Sequence, residues 1–175
     1  MCAICNFKIE FGVGHPAALT VAVAARKAIE AGLIDPADTG QGPLAAARAR
    51  MSAIDALNLL QARIEETHTP DELLALPEFY VFLVESDTWG FFRATVDGFD
   101  PDIVPELPDV TATDASRRSN IVVMPEAGLR AWLAGRIGAR AALGDALFHV
   151  DAPALAGTTL ATMLASAESS VADAR

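Results

Sequence analysis

At Glu78 the sequence changes its period. Up to Pro77, apolar residues recur at three- and four-residue spacing, the pattern of a helix with one buried stripe. From Phe79 to Glu85 and from Trp89 to Val96 the residues are β-branched and aromatic, joined by Ser86-Asp87-Thr88, the pattern of a β-hairpin. A chain that begins with helices and then turns to strands is expected to be α+β. Ala-rich N-terminal helices would accompany a small, mostly antiparallel sheet covered by helices. The 175 residues fit a single domain. Its parts would be helical residues 1–76, an α+β part over 77–165 and a frayed tail over 166–175.

Punctuation residues set the element limits. Phe7, Ile9 and Phe11 alternate with Lys8 and Glu10, a short strand signal that Gly12 and Gly14 end. A first helix opens at His15-Pro16 and runs to Ala31, with Gly32 as its stop. Ala18, Val21, Ala22, Ala25, Ala28 and Ile29 share its inner face. A second helix covers Leu44 to Thr67, with Met51, Ile54, Leu57, Leu60 and Ile64 facing inward. Thr69-Pro70-Asp71-Glu72 is a capping box for a short third helix. Residues 97–109 form an acidic, Pro-rich loop, and Val110 to Thr113 a brief strand. Ile121 to Met124 is a strand that enters a helix at Pro125, ending near Gly135. A short helix over 138–143, a strand over 146–150 and a helix over 155–165 complete the chain.

Composition narrows the function. Asp and Glu total 23 against 13 Lys and Arg, a net charge of -10. A phosphate-backbone binder inverts that balance, so neither nucleic acid nor an anionic membrane is an expected partner. The longest apolar stretch, Pro16 to Ala25, is too short to cross a bilayer. Residues 1–20 carry no signal-peptide pattern, and a cytoplasmic location is expected. Arginine outnumbers lysine 11 to 2, a bias of bacterial-like genome composition.

The chemistry-bearing residues gather at the start. Cys2-Ala3-Ile4-Cys5 has the two-residue gap that lets two thiolates meet one metal ion, and His15 follows ten residues later. Cys2, Cys5 and His15 make three ligands for zinc or iron, with His68 or His149, a carboxylate or water as candidates for the fourth. A closed set would be structural, and a water-bearing one open to Lewis-acid chemistry. Solvent-facing or core roles for the same three residues are the bland alternative. In the acidic loop, Asp97, Asp100, Asp102, Glu106, Asp109 and Asp114 lack the spacing of a calcium loop. Arg117 and Arg118 would pair with them or with an acidic substrate.

Residues 79–165 resemble the sterol-carrier-protein-2 (SCP2-like) family. The parts are Ile121-Val122-Val123-Met124, then Leu129, Trp132, Leu133 and Gly135, then Ala141-Ala142-Leu143, then Leu147 to Val150, with the hairpin at 79–96 as the earlier strands. Gly144 comes early, Asp151 stands where a glycine often follows, and the Ala-rich first 66 residues have no counterpart. The resemblance implies a tunnel for an apolar small molecule, lined by Leu129, Trp132, Leu133, Leu160, Met163 and Leu164, with no chemistry of its own. Plain core is the alternative for those six. The opening Met1-Cys2 also looks like that of class II glutamine amidotransferases, with Ala3 in place of their glycine.

The first helix carries Leu19 and Val23 opposite its inner face, so it is apolar almost all round. An apolar strip of that kind marks a contact site, and a homodimer is expected.

Overall fold

In a computed structural model of the chain, residues 14–36, 42–114 and 117–168 are described, together with the backbone of residues 8 and 9. The helical part holds α1 (Ala18–Glu30), α2 (Pro43–Thr67) and α3 (Pro70–Leu74), preceded by the short strand β1 (Lys8–Ile9). α1 ends at Gly32, whose φ of 72° is the left-handed turn that glycine adopts without strain. There the Gly32 N–H donates to the Ile29 carbonyl and the Leu33 N–H to that of Ala28, a Schellman end. α2 starts on Pro43, where the missing N–H costs nothing. At α3 the expected capping box is complete: Thr69 and Glu72 exchange side-chain-to-backbone bonds.

The strands follow: β2 (Phe79–Leu83), β3 (Thr88–Phe92), β4 (Ala94–Thr95), β5 (Gly98–Phe99), β6 (Ile121–Met124) and, after two helices, β7 (His149–Asp151). The main sheet has the order β1-β3-β2-β6-β7, and β4 and β5 form a separate small ribbon. β2 and β6 run parallel, with Tyr80 opposite Ile121, whereas the other pairings of the main sheet are antiparallel. The α+β class is therefore as expected. Two details differ. The segment 110–113 is not a strand, and the last strand lies at 149–151 rather than 146–150.

Both faces of the sheet are buried, so its strands alternate between two apolar clusters. Phe79, Val81, Leu83, Phe92, Val122 and Met124 face the layer that contains α2, α4 (Glu126–Leu133), α5 (Ala139–Gly144) and α6 (Ala154–Ser166). Tyr80, Phe82, Trp89, Phe91, Ile121 and Val123 face the other way, where Val21 of α1 and Val110 cover them. On α2 the buried stripe is Ala53, Ala56, Leu57, Leu60 and Ile64, while Met51 is 58% exposed. Gly90 of β3 lets this helix sit close: a Cβ there would lie 3.2 Å from a Leu57 methyl. On α1, Ala22 is exposed rather than inward.

Side chains distant in sequence finish the helix and ribbon ends. Glu85, after β2, accepts the N–H groups of Glu126 and Ala127 at the start of α4. Glu168 accepts the N–H of Ala139 at the start of α5. Glu65 of α2 accepts the N–H of Phe99 at 2.9 Å and so docks the β4–β5 ribbon. Among the described residues no helix is long and apolar enough to cross a membrane.

Candidate functional site

His15 lies at the entry to α1, and β7 lies beneath it. Its carbonyl accepts the N–H of Ala18, and its Nδ1 accepts the N–H of Ala17 at 3.0 Å. Nδ1 therefore bears no proton in the neutral ring, and the N–H is on Nε2. That Nε2–H donates to Asp151 Oδ2 at 3.1 Å, and Arg118 Nη1 donates to the same oxygen at 3.0 Å. His149 shares a face of β7 with Asp151, and its ring is 6.1 Å from that of His15. The side chain of His15 is almost wholly enclosed. Burial is the main influence on its pKa and pushes it below the ordinary 6.5. Asp151 opposes that by charge and hydrogen bond, while His149 and Arg118 add to it.

The His15 ring is satisfied at both nitrogens. With both ring nitrogens engaged, His15 has no lone pair to give a metal in this arrangement. Cys2 and Cys5 lie outside the described residues, and so does the meeting of their thiolates with an imidazole. His68 sits at the end of α2, its Nδ1 3.0 Å from the Ile64 carbonyl oxygen and from Thr67 Oγ1. Among the described residues no three of His, Cys, Asp and Glu are placed to hold a metal ion.

The six residues expected to line a tunnel are core. Leu129, Trp132, Leu160, Met163 and Leu164 are buried in the cluster between the sheet and the helices, with Leu133 half-buried against it. The indole Nε1 of Trp132 has no hydrogen-bond partner among the described residues. A second polar cluster ties α4 to α2. Ser52 Oγ and Arg130 Nε both donate to Glu126 Oε1, and Arg130 Nη2 donates to the Ser52 carbonyl at 2.8 Å.

Two concavities lie elsewhere, and none of those six residues lines either. The first, about 550 Å³, separates the end of α1 from α5. α4, like α1, ends in a Schellman turn, with Gly135 at φ 70° and the Arg136 N–H on the Ala131 carbonyl. The residues just past the two turns, Leu33 and Arg136, both line this cleft. Arg136 Nη1 reaches Asp35 Oδ2 at 2.9 Å and clasps the two ends together. The walls are Ala24, Ala28, Ile137, Ala142 and Leu147, with Lys27, Arg136 and Asp145 as the charged groups. The second concavity, about 670 Å³, is polar. It runs beside β2 and β3 under residues 103–109, a loop that Tyr80 holds by donating to the Glu106 carbonyl at 2.8 Å. Burial, aided by Glu106 and Glu78, pushes the Tyr80 phenol up to about 12, so it stays a donor.

The sequence pairs Arg117 and Arg118 with the acidic loop or an acidic substrate, whereas Arg118 is held by Asp151 of β7. The alternation of His149 and Asp151 along a strand was the available signal. The Glu126–Arg130 pair was legible as a four-residue helix spacing and was missed. No protein-family model, no curated protein and no solved structure matches the chain.

Proposed function

We propose that this protein is a binding module for a small apolar molecule, seated in the cleft between the end of α1 and α5. The observation that supports the reading is the cleft itself. Its volume of about 550 Å³ falls among those of small-molecule sites, and its walls are mostly apolar with a few charged groups. Alanine at positions 24, 28 and 142 leaves space that a larger side chain would fill. Arg136, paired with Asp35, and Lys27, in the last turn of α1, put cations at the cleft that would meet a polar end of the ligand. This keeps the apolar ligand implied by the sterol-carrier resemblance. It moves the seat away from Leu129, Trp132 and Leu160, which are committed to core. The reading assigns the cleft binding and no bond-making step.

Titration with the neutral fluorophore N-phenylnaphthylamine tests it. The wild type should bind saturably with one site per chain. Ala141→Trp places an indole in the cleft from an exposed position on α5 and should weaken binding by roughly tenfold or more. Its melting midpoint should stay unchanged. A wild type that does not saturate, or an Ala141→Trp variant that binds equally well, rejects the reading.

A further inference from the structure

We propose that the polar groove beside β2 is a second site, which takes a small molecule by its carboxylate through Arg117 and Arg118. The groove shares no lining residue with the apolar cleft. Of the three acids that line it, Glu78 and Asp109 are engaged by neighbours. Glu78 Oε1 takes Arg93 Nε at 2.6 Å. Asp109 Oδ1 accepts the N–H groups of Thr111 and Ala112, both at 3.0 Å, and those bonds hold its carboxyl low. Asp151, behind the groove, takes Arg118 Nη1.

The arginines keep donors in reserve. Arg118 has given Nη1 to Asp151, and its Nε–H, enclosed, has no partner among the described residues. The side chain as a whole is 29% exposed on the groove, and a guanidinium that has given one N–H to Asp151 keeps further donors for a carboxylate. Because Asp151 is itself held by His15, the guanidinium is held in place before a ligand arrives, which lowers the ordering cost of binding. Arg117 is exposed on the same groove; its charge helps to hold the Asp109 carboxyl low, and it makes no ion-pair contact within 4 Å among the described residues. Val104 and Leu107, both exposed, give the groove apolar surface for a carbon skeleton. The planar monoanionic carboxylate suits this groove better than a phosphate dianion, since Glu78, Glu106 and Asp109 line it as well.

The test is an amide-resolved NMR titration of the full chain with sodium butyrate and, separately, with sodium phosphate, at a constant ionic strength of about 0.15 M. Saturable butyrate shifts are expected at Arg117 to Asn120 and at Tyr80. Arg117→Gln, an exposed substitution, should weaken butyrate roughly tenfold or more without moving the melting midpoint. Arg118→Lys keeps the charge and loses the fork, and should weaken it by a similar factor. Phosphate should bind more weakly than butyrate. The proposal is overturned by a wild type with no saturable butyrate shift up to about 10 mM. It is equally overturned by an Arg117→Gln variant of unchanged affinity, or by phosphate binding the more tightly.

Discussion

His15 and Asp151 are 136 residues apart in sequence, yet the Nε2 of one lies 3.1 Å from the Oδ2 of the other. The bond pins the entry of α1 to the edge strand β7, and Arg118 on the same oxygen extends the tie to the start of β6. Removing the shared acceptor leaves two donors short at once. Asp151→Ala is expected to cost about 2 kcal/mol, the penalty for partly buried donors left unpaired. A urea midpoint read by circular dichroism measures it, and an unchanged midpoint would show that water replaces the carboxylate.

The same histidine sets an acid limit. Its folded pKa lies below 6.5 because it is buried neutral. As pH falls below 6.5, the unfolded chain takes up a proton at residue 15 that the folded chain refuses. The stability contribution of His15 is thus fully present above that pH. It declines as pH drops and levels off once the folded imidazole titrates. Urea midpoints measured from pH 7 downward should fall, and more shallowly in His15→Gln. Equal slopes in the two proteins would place the proton uptake elsewhere.

Ala146 follows α5 with a φ of 57°, a left-handed conformation in which a Cβ is crowded. The position is a helix stop of the kind glycine usually fills. Ala146→Gly should therefore raise stability by about 1 kcal/mol. A thermal melt that moves down instead would mean the left-handed turn carries no strain.

The outer side of α1 leaves Leu19 75% and Val23 49% exposed. The homodimer expected from the sequence stands as a proposal on that strip. Light scattering should give twice the chain mass for the wild type, and Val23→Glu should give a folded monomer. A monomeric wild type ends the proposal.

Local signals carried much of the fold. Pro125 and Gly135 bracket α4 as expected, and Thr69 with Glu72 announces α3, because punctuation and caps act within a few residues. What was not legible depends on distant partners. The β4–β5 ribbon hides in a segment read partly as acidic loop, and Glu65 of α2 docks it. The parallel pairing of β2 with β6 has no local signature. Met51 is expected inside, yet α2 turns Ala53 and Ala56 inward with Leu57, which meets the sheet at Gly90, where no Cβ stands in its way. The site followed the same rule. His15 was legible as a chemistry-bearing residue, but its partner was not. The cleft is made by two helix ends and a flank, Leu33, Arg136 and Ala142, that no spacing in the sequence connects.

Amide-resolved NMR of the chain titrated with N-phenylnaphthylamine locates the apolar ligand most directly. Saturable shifts should gather at Ala24, Ala28, Leu33, Ile137 and Ala142, which line the cleft, and leave the core positions Leu160, Met163 and Leu164 unmoved. Shifts centred on those core positions, or none that saturate, would contradict a ligand seat between α1 and α5.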